Sequence, residues 1–422
     1  MTEADLIVCG AGPAGMAAAL AAATRGQRVV LLDQAGRPGV KILISGGNRC
    51  NLTHDCAAAA IAKAFGRAGG RFLGHALRER GPRELRAWIE SLGVATKVEP
   101  GGKVFPVSNR AVDVRDALER ELERAGVRFH GGAAVTAIER VASDAAASGA
   151  APFVVATARG RFAAPRVVLA LGGRSYPKVG TKGDGYGFAA ALGHTIVATT
   201  PALVPLVATS AWVRELSGVT LPDVVLSLPA ADARREPPQR GALLFTHFGL
   251  SGPAPMNVGG AVARELAGGV SSVPLAIDFL PNEERAALDA RFAAATSSGD
   301  ARLVRTVVGG LLPRRVAEAL CEQAAIAPTL PLRQLSAAAR ARLLDALFAT
   351  KLALVGTRGF DFAEVTRGGV ALEEVDPATL QSRVVPGLFL AGELLDLDGP
   401  IGGYNFTAAF ATGALAGRSA AE

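Results

Sequence analysis

The chain has 422 residues, of which 50% are apolar and 20% are charged, and its formal net charge is +7. This length provides for two or three domains with a large core, and the apolar content excludes an intrinsically disordered protein. Its four Cys residues are too few for a disulfide framework and lack the paired C-x-x-C spacing of a zinc site, so we expect no metal.

The distribution of basic residues and the amino-terminal sequence indicate which partners and which cellular location to expect for the protein. Arg residues are dispersed along the chain, and the densest clusters are the pairs Arg234–Arg235 and Arg314–Arg315, without interleaved aromatic residues. This pattern favours general solubility over stable nucleic-acid binding. The first residues lead directly into a strand, and no apolar run approaches the ~18 residues of a membrane span. We therefore expect a cytoplasmic protein with no membrane association and no stable nucleic-acid partner.

The first predicted element is a buried parallel strand, Asp5–Cys9. It runs directly into Gly10–Gly15, which has the pattern G-x-G-x-x-G and opens an Ala-rich helix that continues to Arg25. A second strand, Arg28–Leu32, follows and ends at Asp33. This order of strand, glycine motif, helix, strand and acidic residue is the fingerprint of a dinucleotide-binding domain.

Each part of the fingerprint has a predicted role. Gly10 permits the tight turn, Gly12 lets the backbone approach a pyrophosphate, and Gly15 allows the helix to pack closely on the strand. Pro13 falls in the first helical turn, where its missing N–H costs nothing. The free N–H groups of the helix bind phosphate, and Asp33 is placed to accept both ribose hydroxyls.

The segment that follows indicates which dinucleotide is bound. Lys41–Thr53 (KILISGGNRCNLT) is dense in Gly and small polar residues, which present backbone N–H groups rather than a core face. Lys41 and Arg49 are placed to meet phosphate or an anionic ring. A domain that binds only NAD usually continues with another βα unit, so this long excursion favours FAD.

The middle of the chain alternates helices and strands. Helical periodicity and apolar runs predict two helices and a strand pair: Arg71–Gly93, Val112–Gly126 and Val127–Ile138. The Ala/Ser stretch Ala142–Pro152 predicts a surface hairpin loop. Arg166–Leu171 is another buried strand, and it ends at Gly172, where the chain is expected to pass close to the cofactor.

After Pro201 the pattern changes, and this change predicts the domain organisation. We expect an α/β fold in which a discontinuous Rossmann-like FAD-binding domain, residues 1–196 and 374–422, is interrupted by an insert. The insert would comprise a β-rich domain, 197–280, a helical region, 281–350, and return strands, 351–373. Because pockets favour domain interfaces, we expect this insert to cap the flavin and to form the substrate pocket.

The carboxyl-terminal segment, in which the chain returns to the FAD-binding domain, contains a second set of residues that are candidates for contact with the cofactor. A buried strand, Gly387–Ala391, leads to an acidic loop that contains Glu393 and Asp396. Gly402–Gly403 precede the closing helix Asn405–Gly417, whose amino terminus points at the preceding loop. N–H donors there would stabilise the negative charge of reduced flavin, and the two glycines would let the ring approach the backbone.

These motifs resemble the BaiN/YhiN-like NAD(P)/FAD-dependent oxidoreductases of bacteria, within the wider group of glutathione-reductase-type flavoproteins. The matching segments are spread over nearly the whole chain: Gly10–Gly15, Lys41–Thr53, Leu169–Gly173, Ser175–Thr195, Phe245–Pro253 and Gly392–Asn405. The resemblance implies that the backbone at Val135 meets adenine.

Fingerprint, glycine-rich segment, carboxyl-terminal return and resemblance together give a set of predicted FAD contacts. They are Gly10, Gly12, Pro13, Ala14, Gly15, Asp33, Gln34, Lys41, Gly46, Gly47, Asn48, Arg49, Cys50, Asn51, Val135, Ala170, Leu171, Gly172, Gly392, Glu393, Asp396, Gly402, Gly403, Tyr404 and Asn405.

The expected reaction is hydride transfer between flavin N5 and an organic substrate. The resemblance implies reduction of an activated C=C bond in a small hydrophobic molecule, with NAD(P)H as the electron donor. No second G-x-G-x-x-G follows a strand, so NAD(P)H would dock transiently over the flavin. The sequence does not single out the proton donor; His247, Tyr176, Tyr186 and Tyr404 are all chemically able to act.

Two alternatives stay open from the sequence. Cys50 with Cys56 could form a redox-active dithiol of a thiol–disulfide oxidoreductase, although five residues separate them where glutathione-reductase relatives have four. The basic charge and the RNA modifiers among flavoproteins of this broad type also allow an FAD-dependent RNA-modifying or RNA-binding protein.

Overall fold

A computed structural model of the chain describes residues 2–140, 153–228 and 237–422. The predicted hairpin loop Ala142–Pro152 and the pair Arg234–Arg235 lie outside these ranges. The chain divides into two compact units, one formed by Met1–Thr199 with Glu364–Glu422 and the other by Thr200–Ala363. A parallel sheet in the first unit and a β-rich second unit confirm the predicted α/β fold class.

The first unit is built on a five-stranded parallel sheet. Its strands lie in the order Leu388–Leu390, Arg166–Leu169, Leu6–Cys9, Val29–Leu32 and Arg128–His130. The three inner strands are almost entirely buried, because helices cover both faces of such a sheet and favour continuous Val, Ile and Leu runs. All five strands run in the same direction, so their carboxyl ends meet at one edge, where ligands of open α/β sheets bind.

Helices and smaller sheets surround this parallel sheet. The helices of the first unit are Pro13–Ala23, Val40–Ile44, Ala58–Ala64, Gly66–Glu79, Pro82–Ser91, Ala111–Arg124, Asp184–Ala191 and Tyr404–Ser419. A four-stranded sheet has the order Thr2–Glu3, Gly160–Ala164, Phe153–Thr157 and Val135–Arg140. A three-stranded sheet has the order Thr53–His54, Lys103–Pro106 and Thr96–Val98, and Ile196–Ala202 pairs with Val365–Val370. Short 3₁₀ turns lie at Pro177–Val179, Leu372–Glu374 and Gly392–Leu394.

The closing helix packs tightly against the helix of the fingerprint. A Cβ atom on Gly413 would lie 2.1 Å from the carbonyl oxygen of Ala14, and one on Gly417 would lie 2.1 Å from that of Ala18. Glycine at both positions therefore lets the two backbones approach more closely than any other residue would allow. This contact fixes the last segment of the chain beside the first.

The second unit contains a closed six-stranded antiparallel barrel. Its strands follow one another around the barrel in the order Leu206–Ala208, Gly249–Ser251, Gln239–Thr246, Thr220–Ser227, Val273–Asp278 and Thr350–Thr357. Its helices are Ala211–Glu215, Pro253–Ala267, Arg285–Ser297, Val304–Val308, Arg314–Gln323 and Ala337–Phe348, with a 3₁₀ turn at Leu332–Gln334. Barrel and helices enclose one apolar core, in which Phe245, Phe279 and Phe292 are buried.

Within the described ranges, the helices are too short or too polar to cross a lipid bilayer.

Candidate cofactor and active site

A long cleft lies at the carboxyl ends of the parallel strands. It contains about 1310 Å³ of free space, including its opening to solvent. The cleft is lined by the glycine motif after Leu6–Cys9, by the segment after Val29–Leu32, and by Ala170–Gly172 and Gly392–Glu393. Every residue that lines the cleft belongs to the first unit. The cleft thus occupies the place where an open α/β sheet binds a dinucleotide.

The three glycines of the fingerprint have distinct surroundings. A Cβ on Gly10, whose φ is +102°, would lie 2.3 Å from the carbonyl oxygen of Ala170. One on Gly15 would lie 1.7 Å from the carbonyl oxygen of Gly10. A Cβ on Gly12 would meet no atom within 4 Å. The first and third glycines are therefore required by the protein's own packing, whereas the second faces free space that fits a pyrophosphate beside the helix amino terminus.

Asp33 is held by backbone donors at the same end of the cleft. Its Oδ2 accepts a hydrogen bond from the Ala11 N–H at 2.6 Å, and its Oδ1 accepts one from the Ala35 N–H at 2.7 Å. Burial raises the pKa of the Asp33 carboxyl, while these two N–H donors act in the opposite direction. The carboxylate is thereby fixed at the cleft, with lone pairs left for the two hydroxyls of a ribose.

A polar cluster lies in one part of the cleft wall. The Lys41 ammonium donates to Glu393 Oε2 at 2.7 Å and to Ser175 Oγ at 2.6 Å. The Ser175 hydroxyl donates to Glu393 Oε1 at 2.9 Å, and the Thr366 N–H donates to the same oxygen at 2.8 Å. Lys41 and Glu393 line the cleft, so the cluster presents a fixed, paired charge to whatever occupies that part.

Glu364 lines the same cleft and was missed by the sequence reasoning. It is the residue at which the chain re-enters the first unit, and it belongs to no glycine motif or periodic run. Burial raises the pKa of its carboxyl, although Lys41 and Lys103 attract the charged form. The sequence offered no signal for this position beyond its acidic side chain.

The structure brings fourteen predicted contacts together in the cleft lining: Gly10, Gly12, Pro13, Ala14, Asp33, Gln34, Lys41, Val135, Ala170, Leu171, Gly172, Gly392, Glu393 and Asn405. The other predicted contacts lie outside this lining: Gly15, Gly46, Gly47, Asn48, Arg49, Cys50, Asn51, Asp396, Gly402, Gly403 and Tyr404.

Two charged members of the second group have protein partners. Arg49 donates to Glu99 at 2.8 Å, and its guanidinium lies 4.0 Å from the centre of the Phe105 ring. Asp396 accepts a hydrogen bond from the Gly368 N–H at 3.1 Å. In this structure both side chains are therefore occupied in contacts within the protein.

The glycine-rich segment and the carboxyl-terminal loop contact each other. The Asn51 amide, oriented to satisfy both of its groups, donates to the Thr53 carbonyl at 3.1 Å and accepts from the Gly403 N–H at 3.2 Å. Gly403 has φ +93°, and a Cβ there would lie 2.6 Å from the backbone of Thr53. Glycine at position 403 is thus already required by the neighbouring chain segment, whatever the position of the flavin ring.

The cysteines lack the features of a reactive dithiol. All four are free, and Cys50 is buried. Burial raises the pKa of the Cys50 thiol to about 12, and it also raises the pKa of the partly exposed Cys56. A redox-active thiol needs a lowered pKa and access to its partner. These surroundings favour a packing role for Cys50.

The four candidate proton donors differ in their surroundings. Tyr186 is buried and donates to the Glu393 carbonyl at 3.3 Å, and burial raises the pKa of its hydroxyl. Tyr404 stacks on His54 with 5.1 Å between ring centres, and burial also raises the pKa of the Tyr176 hydroxyl. His247 is exposed in the second unit. None of these four side chains lines the cleft.

Within the described ranges, no group of three or more His, Cys, Asp or Glu residues is arranged to hold a metal ion.

Comparison with known proteins identifies a protein family and two proteins of similar sequence. The model of the HI0933-like protein Rossmann domain matches residues 4–419. A 3-dehydro-bile acid delta(4,6)-reductase of Clostridium scindens is 34% identical over 417 residues, which cover 98% of each chain. A ribosomal RNA dihydrouridine synthase of Escherichia coli is 30% identical over 410 residues, covering 96% of this chain and 95% of that protein.

A solved structure shares the fold. The 3-ketosteroid-delta4-(5alpha)-dehydrogenase of Rhodococcus jostii RHA1, in complex with 4-androstene-3,17-dione, is similar with a TM-score of 0.50 at 19% identity, covering 100% of this chain and 97% of that one.

The fingerprint, the parallel sheet and these relatives make the protein an FAD-dependent oxidoreductase. The family resemblance expected from the motifs is confirmed over almost the whole chain: the protein belongs to the HI0933-like Rossmann-domain family.

Proposed function

We propose that the protein reduces an activated C=C bond of a small hydrophobic molecule, with NAD(P)H as the source of electrons. The observation that carries this proposal is the cleft, in which the free space at Gly12 and the fixed Asp33 carboxylate fit a dinucleotide, and whose wall also contains the polar cluster at Glu393. The named activity of the Clostridium scindens relative, whose match covers 98% of the chain, supports a conjugated ketone as the substrate class.

The residues of the chain have separate tasks in this proposal. The free N–H groups that begin the helix Pro13–Ala23 would bind the pyrophosphate, and Asp33 would accept the ribose hydroxyls. Bound FAD supplies a carrier that accepts and delivers a hydride at flavin N5. Lys41, held by Glu393 and Ser175, would place a positive charge where negative charge develops on reduction.

The proposed electron donor follows from what the fold provides. No second glycine fingerprint follows a strand in the sequence, so we expect NAD(P)H to use no dinucleotide-binding domain of its own. It would dock over the flavin, deliver its hydride and leave before the substrate enters. Rapid anaerobic mixing with NADH or NADPH tests this step, because bleaching of the flavin absorbance reports hydride transfer directly.

A second candidate substrate is a uridine in ribosomal RNA. The Escherichia coli relative is named for dihydrouridine synthesis, and the net charge of +7 suits an anionic partner. Formation of dihydrouridine also adds hydrogen to a C=C bond conjugated with a carbonyl group. The two candidates therefore share one chemistry and differ in the molecule that carries the double bond.

One experiment separates the two candidates. The purified protein is reduced with dithionite under anaerobic conditions and mixed with a 3-oxo-Δ4,6 bile acid or with ribosomal RNA. We expect flavin reoxidation with the bile acid and a product that has gained hydrogen across a double bond. Reoxidation by RNA alone would assign the second substrate, and reoxidation by neither would overturn the proposed function.

A further inference from the structure

The Glu364 side chain differs from the other acidic side chains that line the cleft. Asp33 accepts two backbone N–H groups, and Glu393 accepts donors from Lys41, Ser175 and Thr366. Glu364 makes no hydrogen bond or ion pair with any of residues 2–140, 153–228 or 237–422. A carboxyl group in a cleft wall without such partners is free to exchange a proton with a bound molecule.

Asp184 is the fourth acidic residue of the lining, and its setting is different again. It is exposed at the start of the helix Asp184–Ala191, so water solvates its carboxylate. Glu364 is only partly exposed, and its pKa is raised because burial disfavours the charged form. Burial raises the pKa of Asp33 as well, but two backbone N–H groups bind that carboxyl, so Glu364 differs in combining a raised pKa with a carboxyl that accepts no such donors from the described residues.

The charged and titratable neighbours of Glu364 are Lys41, Lys103 and Tyr176. Both lysines attract the carboxylate, but their effect does not outweigh burial. The Lys41 ammonium is already bonded to Glu393 and Ser175, so it does not form an ion pair with Glu364. It can still stabilise the carboxylate that remains after Glu364 has given up its proton.

We propose that Glu364 is the proton donor of the reduction, a role that rests on the proposed function. Bound FAD would supply the hydride: its N5–H bond breaks as the hydride, with its electron pair, forms a C–H bond at the β-carbon of the unsaturated ketone, and the π electrons shift towards the α-carbon. The O–H bond of Glu364 breaks, and its proton forms the C–H bond at the α-carbon. The substrate gains two electrons and two hydrogens, reduced flavin is oxidised, and the Glu364 carboxylate regains a proton from solvent.

The test compares E364Q with D361N. Asp361 is an exposed acidic residue three positions earlier, outside the cleft lining, so D361N controls for loss of a negative charge in this segment. Both variants are purified with bound FAD, reduced with dithionite and mixed with a 3-oxo-Δ4,6 bile acid. We expect reoxidation of E364Q to be slower by about 10²–10⁴-fold, the usual contribution of a general acid, and D361N to match the wild type.

The dependence of the reoxidation rate on pH shows whether the protonated form of Glu364 is the active one. In the wild type, the rate of reoxidation falls as pH rises through the pKa of Glu364, because the proton donor is lost. In E364Q this fall disappears, and in E364D, which keeps a carboxyl group, it persists. Should E364Q fail to retain FAD, E364D carries the test: its carboxyl is one methylene further from the substrate, so the fall should persist with a lower rate and a shifted midpoint, and a profile identical to that of the wild type in both would overturn the proposal.

A second readout does not depend on turnover. A carboxyl whose pKa is raised by folding stabilises the folded state below its unfolded pKa, and this stability is lost as pH rises towards the folded pKa. Gln resembles the protonated form. We therefore expect the Tm of E364Q to equal that of the wild type in acid and to exceed it increasingly as pH rises above the ordinary Glu pKa.

The outcomes separate the two proposals. If reduced wild type is reoxidised by neither bile acid nor RNA, the proposed function fails, whereas the dependence of Tm on pH still reports on Glu364. A FAD-loaded E364Q with the rate and pH profile of the wild type would overturn the role of Glu364. A Tm difference that does not change with pH would overturn it too, since Glu364 would then ionise like an exposed carboxyl.

Discussion

The Lys41 ammonium lies 2.7 Å from the Glu393 carboxylate, although 352 positions of the chain separate the two residues. Both side chains are 18% exposed, and Ser175 bonds to both. The pair joins the helix Val40–Ile44 to the loop that follows the last strand of the sheet. Both residues line the cleft, and we propose that the pair couples the packing of these two distant segments to the electrostatics of the bound cofactor.

Replacing Lys41 by Met tests this coupling. The change leaves Glu393 largely buried without its cation, and we expect a loss of about 2–3 kcal/mol of stability, less than for a fully buried pair because both side chains are partly exposed. The flavin midpoint potential should fall by tens of millivolts, since about 30 mV corresponds to 1.4 kcal/mol for two electrons. Lys63→Met, at an exposed position, is the control. Spectroelectrochemical titration with an unchanged potential would show that Lys41 does not act on the ring.

Gly12→Val should abolish FAD binding without unfolding the protein. A Cβ at position 12 meets no protein atom within 4 Å and φ is −78°, so the side chain fits the protein and would occupy the space of the pyrophosphate. We expect a colourless protein with the melting temperature of the FAD-free wild type. Gly187→Val, equally free of neighbours but outside the cleft lining, should stay yellow. Full FAD content in Gly12→Val would contradict the assignment of the site.

Cys56→Ser should leave flavin reduction and turnover at the level of the wild type. Cys56 is a free thiol whose pKa is raised by burial, and Cys50 is buried with a pKa of about 12, so neither has the properties of a redox-active thiol. Anaerobic reduction followed by visible spectroscopy should give no thiolate-to-flavin charge-transfer band in either protein. Appearance of this band in the wild type and its absence in the variant would favour the thiol–disulfide alternative.

His194→Ala should destabilise the protein without affecting FAD. The ring is buried between two partners, with Nδ1 3.0 Å from Glu374 Oε2 and Nε2 2.8 Å from Ser382 Oγ. Loss of both hydrogen bonds and the cavity left behind should cost about 2–4 kcal/mol. His75→Ala, at an exposed position, should be neutral. Chemical denaturation measures the difference; equal stability of the two variants would mean that the surroundings of His194 relax to fill its place.

The fingerprint region shows how much of the structure can be predicted from local sequence. The strand, glycine motif, helix and second strand were all predicted, and the structure places them at Leu6–Cys9, Gly10–Gly15, Pro13–Ala23 and Val29–Leu32. Such elements are set by apolar runs and backbone requirements that act over a few residues. The position of Asp33 beside the glycine motif follows for the same reason, because two adjacent parallel strands bring their carboxyl ends together.

Glycine positions show the limit of that reasoning. The sequence predicts that Gly402–Gly403 give room to the flavin ring, and the structure shows a second reason for glycine at position 403, the close backbone of Thr53. The pattern of residues identifies a close approach, and it does not say which chain segment approaches. Closure of the barrel in the second unit is a similar case, since it depends on strand pairings that the short apolar runs do not specify.

By itself, the sequence determined the dinucleotide fingerprint, the succession of strands and helices, and the family, because each depends on short motifs with a local physical reason. Only the tertiary structure decided that Lys41 pairs with Glu393 and that Glu364 lines the cleft without a hydrogen-bond or ion-pair partner in the part of the chain that the structure describes. Those relationships depend on side chains from distant segments that meet only after the parallel sheet has formed. Their burial, and hence the pKa of Glu364, is a property of the packed neighbours rather than of the residue's position in the chain.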